Sequence, residues 1–192
     1  MPYLGERVSL RAIEPDDLDR YVEWLNDPDV TRTLTVRYPL GKEAEREILE
    51  RLSKAAGYRD VVFAIGIRET GEHIGTIGLH GTYPESRWAT LGVFIGAKRL
   101  WGEGYGFDAL RTVCRFGFWE MNLHHIRLDV FDNNQRAHDL YRRVGFVDEG
   151  SKRGSVYRAG AHMDASYMSI TRTEFEGLHG EPPDLRDLEV LP

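Results

Sequence analysis

The order of hydrophobic patterns along this chain predicts a mixed α/β domain, a sheet whose strands are covered by helices. Three observations carry that expectation. Strand-like segments stand at 7–13, 61–68, 73–80, 89–96 and 125–131. Apolar residues recur at helical spacing in the segments between them. The resulting order is strand, two helices, three strands, helix, strand, helix, strands, which lacks the strict βαβα alternation of a doubly wound nucleotide fold. With 192 residues, 41% of them hydrophobic and 29% charged, the chain suits one packed domain rather than disorder.

Each element has its own signal. In RVSLRAI (7–13), Val8, Leu10 and Ala12 share a face. Pro15 with Asp16 and Asp17 opens a helix carrying Leu18, Tyr21, Val22 and Leu25, and Asn26-Asp27-Pro28 ends it. A second helix over 42–56 aligns Ala44, Ile48, Leu52 and Ala55. VVFAIGIR (61–68) aligns Val61, Phe63, Ile65 and Ile67; Thr70-Gly71 is a turn, HIGTIGLH (73–80) a partner strand and ATLGVFIG (89–96) a third. Gly75, Gly78 and Gly92 inside these strands imply bulges or close backbone approach. The glycine-rich KRLWGEGYG (98–106) leads into a helix with Phe107, Leu110, Val113, Cys114, Gly117 and Phe118 as its apolar residues. HIRLDVF (125–131) is a strand, and Asn133-Asn134 starts a helix that turns Ala137, Leu140, Tyr141 and Val144 to one side and ends at Gly145. Two or three strands fill 146–171. No repeat or linker divides the chain, so residues 1–175 read as one domain and 176–192 as an acidic, Pro-containing tail, extended or loosely packed.

Several function classes are disfavoured at once. A formal net charge of -6 gives no global pull toward nucleic acid or an anionic membrane. No stretch approaches the length of a membrane span, and the first residues lack the apolar core of a signal peptide. The single cysteine, Cys114, cannot form an intramolecular disulfide, which with the missing signal implies a cytoplasmic setting; its apolar helical context makes it a packing residue. Nothing in the sequence calls for a metal.

The strand–loop–helix over 91–116 carries the chemistry. Gly102, Gly104 and Gly106 let the backbone turn tightly and approach a ligand, and the helix that follows offers unpaired N–H groups and the positive end of its dipole. Together these form a cradle for a pyrophosphate, with Lys98 and Arg99 adding positive charge at its mouth. A Walker loop would need Gly-Lys-Ser/Thr. A dinucleotide fingerprint would need glycine in place of Phe107 and an acidic residue closing the next strand. A kinase loop would lie between two strands.

What fits is Arg99-x-x-Gly102-x-Gly104, which resembles the pyrophosphate motif of the GNAT acetyltransferases; the local form WGEGYG (101–106) is similar to their RimJ/RimL-like branch. A second motif lies downstream in NQRAHDLYRRVGF (134–146), where Asn134, Ala137, Leu140, Tyr141, Gly145 and Phe146 match the family pattern in register. The resemblance extends from ERVSLRAIEPDDLDRYVEWLNDPDV (6–30) to the closing strands with Gly160, Asp164 and Met168. It implies a GNAT-type fold, with a mixed, mostly antiparallel central sheet flanked by helices. It implies transfer of acetyl from acetyl-CoA, without metal, to a primary amine: a small amine, polyamine or amino sugar, or alternatively a protein N-terminus. A CoA-binding sensor without turnover is the reading from another class. The branch also implies a homodimer or larger assembly.

The resemblance assigns roles by position. The backbone of Val93, Phe94 and Ile95 would pair with the pantetheine amides in a slot where this strand splays from the next, with a bulge at Gly92 and an N–H near Phe94 for the oxyanion. Arg99, Gly102, Gly104, Tyr105 and Gly106 would hold the pyrophosphate. Asn134 would bind CoA, or else cap its helix. Tyr141 would protonate the departing thiolate, or else serve as core. The base that takes the amine proton is not identified; His80, Glu85, His124 and His125 are candidates. Asp27, Asp29 and Glu43 would attract a polyamine or form a solvated face.

Overall fold

A computed structural model describes residues 3–54 and 56–182. A short pairing of β1 (Tyr3–Leu4) with β2 (Val8–Arg11) starts the sheet. A 3-10 turn at Pro15–Asp17 leads into α1 (Leu18–Leu25), followed by the short α2 (Pro28–Thr31) capped by Asp27, and by α3 (Lys42–Ser53). After β3 (Ala56–Gly57) come β4 (Asp60–Ile67), β5 (His73–Tyr83) and β6 (Trp88–Ile95). Then follow α4 (Tyr105–Arg115), running into a π turn at Phe116–Glu120, β7 (His125–Phe131) and α5 (Gln135–Val144). The chain continues with β8 (Val147–Arg158), β9 (Ala161–Thr171) and α6 (Arg172–His179).

The strands form one sheet in the order β1-β2-β4-β5-β6-β7-β9-β8, with β3 beside β4. Every pairing is antiparallel except β6 with β7. That parallel contact covers only Trp88↔His125, Ala89↔Ile126 and Thr90↔Arg127. Beyond it β6 stays on β5 as far as Gly75↔Ile95, while β7 stays on β9 as far as Phe131↔Ala165. The sheet therefore splits into two halves, and β6 and β7 enclose a wedge that opens toward their C-terminal ends.

Strand alternation assigns the faces. Val61, Phe63, Ile65 and Ile67 of β4, Leu79 of β5, Leu91 and Val93 of β6 and Ile126, Leu128 and Val130 of β7 pack with Leu110, Val113, Phe118, Tyr141 and Val144 from α4 and α5. Val62 and Ala64 turn the other way, onto Ile13, Leu18, Tyr21 and Leu49, with Phe94 packed beside them. Cys114 is fully buried, and burial pushes its thiol well above the ordinary range.

Four expectations need correction. Ala12 is exposed because β2 ends at Arg11, after which Ile13 takes the inward position. On α3 the inward residues are Glu45 and Leu49, while Ala44 is exposed; Ala55 lies outside the described residues. A search for apolar periodicity could not select a face that buries a glutamate. Gly92 forms no bulge: it sits opposite Gly78 in an unbroken run of pairs. Residues 176–179 are the last turn of α6, which Thr171 and Glu174 start with a reciprocal capping box and Phe175 anchors at 0% exposure. The remainder of the expected tail from 183 onward lies outside the described residues.

Candidate active site

The open end of the wedge is flanked by two helix N-termini, because both α4 and α5 begin just after the strands that part. Ligands in open α/β sheets bind where neighbouring strands diverge at their C-terminal ends, and this split provides that geometry. Gly102 and Gly104 both adopt left-handed φ, +91° and +89°, so the loop turns where a side chain would be strained. Gly104 is the N-cap of α4, leaving the first-turn N–H groups without intrahelical acceptors.

The cations around this loop are arranged differently from the sequence expectation. Lys98 is taken up by Asp27 at 2.6 Å and Asp29 at 3.0 Å. Arg99 is paired with Glu72. Two arginines that the sequence reading passed over flank the loop: Arg7 lies 4.4 Å from the Tyr105 ring centroid and donates to the Glu103 carbonyl, and Arg136 lies 5.2 Å from the Trp101 ring. Arg136 occupies a variable position of the second motif and Arg7 lies far upstream, so no local signal marked either.

The backbone of β6 faces the wedge in alternation. Gly96 N–H donates to Ile74 O on β5, whereas Ile95 O accepts from the Trp101 indole on the opposite side, 2.7 Å away. Alternation then turns the N–H and C=O of Val93 and Ile95 into the wedge and those of Phe94 toward β5. The N–H groups that face the slot are thus those of Val93 and Ile95, on either side of Phe94. Phe94 contributes its ring instead, 6.2 Å from both Tyr21 and Trp24 on the far face.

Tyr141 lies on the inward side of α5, 8% exposed and 5.9 Å from the Phe146 ring centroid. Burial pushes its phenol up to about 12, so it remains protonated at neutral pH. Asn134 caps α5: its Oδ1 accepts from Ala137 N–H at 3.3 Å. Its amide N–H groups make no hydrogen bond among the described residues.

The candidate bases are separated. Glu85 sits in the β5–β6 turn, and His124 and His125 stand at the start of β7; all three are at the closed base of the wedge. Burial, first, then His124 and Arg127 lower the His125 value. His80 alone lies partway along the sheet on the face away from α4 and α5. Its Nδ1 is 3.7 Å from Asp60 Oδ1, and a Cβ placed on Gly92 would meet its Nε2 at 3.5 Å. Gly78 makes room for this ring, since a Cβ there would stand 2.9 Å from the same Nε2, which is the close approach that the strand glycines imply.

The same face is walled by a buried polar network. Tyr21 Oη and Thr76 Oγ1 are 2.5 Å apart. Asp17 receives two N–H groups of Arg11 and lies 2.9 Å from His73 Nδ1. Burial alone would raise the Asp17 carboxyl, but these partners outweigh it and hold it well below the usual range. Arg158 of β8 donates to the carbonyls of Thr31, Leu34 and Val36, fastening the segment after α2 over this side. Among the described residues no three His, Cys, Asp or Glu side chains gather as a metal site, and no helix is long and apolar enough to cross a membrane.

A sheet split between two parallel strands, with a glycine turn and helix N-terminus at the opening, is an arrangement suited to a phosphate-bearing ligand. Residues 7–147 match the acetyltransferase (GNAT) domain family, and the chain belongs to it. It is 27% identical over 187 residues to YdaF of Bacillus subtilis, provisionally named a ribosomal N-acetyltransferase, covering 91% of this chain and 96% of that protein. The spermidine N(1)-acetyltransferase of Escherichia coli K12 is 26% identical over 177 residues, 91% of each chain. The structure of spermidine N-acetyltransferase from Vibrio cholerae with CoA and spermine superposes with a TM-score of 0.80 at 23% identity, over 89% of this chain and 99% of that one, which shows the shared fold.

Proposed function

We propose that this enzyme transfers the acetyl group of acetyl-CoA to the nitrogen of an amine by direct attack on the thioester. The observation that carries the reading is the wedge: a stretch of β6 without a partner strand on that side presents the N–H and C=O of Val93 and the N–H of Ile95 beside the N-terminus of α4. Pantetheine amides would pair with that edge as an added strand does. The pyrophosphate would lie on the loop of Gly102, Gly104 and Gly106, with the first-turn amides of Tyr105 and Gly106 as donors and Arg99, Arg7 and Arg136 around it.

In this reading the neutral amine approaches from the His80 side. Its lone pair forms the new carbon–nitrogen bond, and the charge that builds on the carbonyl oxygen is met by a wedge-facing N–H of β6. The carbon–sulfur bond then breaks as Tyr141 gives its proton to the thiolate. An alkylamine has a reference pKa of about 10.4, so a group on the acceptor face must take a proton, and His80 is the candidate on that face.

Polyamine acceptors find little support in the residues first considered for them. Asp27 and Asp29 are held by Lys98, and Glu43 by Arg46 at 3.0 Å. Thiol release from acetyl-CoA, measured across polyamines, aminoglycosides, simple amines and short peptides, tests the proposal. Amine-dependent release is expected; binding of CoA without release for any of them would establish the sensor reading instead. The cytoplasmic setting and homodimer belong to the same proposal; the first rests on the single cysteine and the second on the family resemblance.

A further inference from the structure

The face of the split sheet turned away from α4 and α5 carries a polar cavity that the transfer reaction, as derived so far, leaves unused. Its volume is about 350 Å³, and Thr90, Arg127, Leu128, Asp129, Lys152 and Tyr167 line it. It sits where β6 and β7 part, since Thr90↔Arg127 is their last pair. Alternation puts Thr90 on the same face of β6 as Gly92, over which the His80 ring lies. Cavity and candidate base therefore share one side of the sheet.

Two of its charges cancel. Lys152 Nζ lies 2.6 and 2.8 Å from the Asp129 carboxylate oxygens. Arg127 is half-buried, with its guanidinium 3.1 Å from the Trp88 ring centroid. Its nearest acceptors, Thr90 Oγ1 and Tyr167 Oη, stand at 3.5 Å, beyond ordinary hydrogen-bond length. Among the described residues no carboxylate pairs with it, in contrast to Lys152 beside it. The cavity thus holds a net positive charge on a planar group whose five N–H donors are poorly used. Desolvating such a group is costly unless a ligand supplies the counter-charge.

We infer that the acceptor carries a carboxylate as well as its amine, and that Arg127 receives the carboxylate through paired N–H groups. The inference rests on the transferase reading above. Thr90 and Val93 stand three residues apart on β6, roughly 10 Å along a strand. Carboxylate and amine are then separated by several bonds, as in an ω-amino acid or a lysine side chain, rather than adjacent as in glycine. The carboxylate takes no part in bond making; it positions the amine.

The test uses three acceptors of equal length that differ at one end: ε-aminocaproate, ε-aminocaproamide and hexamethylenediamine. Thiol release should rank them carboxylate, then amide, then second ammonium. A charged two-point contact is worth about tenfold to a hundredfold in kcat/KM, expressed in the acceptor KM. Arg127→Gln should reduce the carboxylate-over-amide preference to near unity while the KM for acetyl-CoA stays unchanged. Arg127→Lys, which keeps the charge and loses the fork, should fall between and carries the test if the Gln variant does not fold. A diamine that equals or exceeds the carboxylate, or an Arg127→Gln enzyme with the native preference, overturns the inference alone. No release with these or any other amine overturns the transferase reading, and this inference with it.

Discussion

Beneath α4 and α5, the split sheet offers a ligand mostly backbone: the edge of β6, two left-handed glycines and the first turns of two helices. On its other face it offers side chains: His80 beside Asp60, Arg127 on Trp88, Tyr21 on Thr76, and Arg158 fastening the segment after α2. The first face suits a ligand that is the same in every family member, because backbone groups do not change with sequence. The second can be altered one residue at a time without disturbing the first. Under the proposed function, the cofactor would take one side and acceptor choice the other.

The largest expected effect comes from the one side chain on the backbone face that is assigned chemistry. Tyr141→Phe keeps the ring against Phe146 and removes only the hydroxyl, so the fold should be retained. Loss of an acid catalyst lowers turnover on the order of 10²–10⁴-fold, and the KM for acetyl-CoA should barely move. Steady-state kinetics decide this. A folded variant turning over at the native rate would reduce Tyr141 to a core residue.

Gly104→Val attacks the backbone itself. At φ +89° a β-branched residue is strained, and its Cβ would stand 3.2 Å from the Arg7 guanidinium. CoA affinity should fall by at least about tenfold, because the loop must leave this conformation. Calorimetry giving the native dissociation constant would remove the loop from the site.

The smallest effect sharpens the contrast from the acceptor side. Glu45 is 1% exposed, and neither of its carboxylate oxygens has a partner. Burial raises its carboxyl above the ordinary range. A carboxyl raised in the folded state binds its proton more tightly there. Its contribution to stability is complete below the unfolded value and is lost as pH rises through the folded one. Glu45→Gln should therefore stabilise the protein at neutral pH by about 1 kcal/mol, an advantage that vanishes as pH falls toward the ordinary glutamate value of about 4.3. Urea midpoints across that range test it; a variant less stable at neutral pH would mean that the ionised carboxylate has a partner.

The same contrast explains what could be read without a structure. The alternation in β4 and β7 and the inward face of α5 follow from local patterns, and the structure reproduces them. The glycine loop is legible because its geometry is confined to a few consecutive residues. Glu45 escapes such a reading, since a buried carboxylate breaks the apolar period of α3. Which N–H groups beside Phe94 face the wedge escapes it too, because hydrogen-bond direction depends on which neighbour β6 pairs with. Arg127 and Trp88 are 39 positions apart in sequence and meet only through the parallel pairing of β6 and β7, which no local pattern announces.

Amide hydrogen exchange, measured residue by residue with and without CoA, tests the division of the two faces most directly. Slowed exchange is predicted at the Val93 and Ile95 amides on the wedge edge and at Gly104 to Phe107 in the first turn of α4, with Arg127, Lys152 and the rest of the cavity unaffected. Slowing confined to the Arg127 cavity, with the β6 edge and the α4 N-terminus unchanged, would contradict the account.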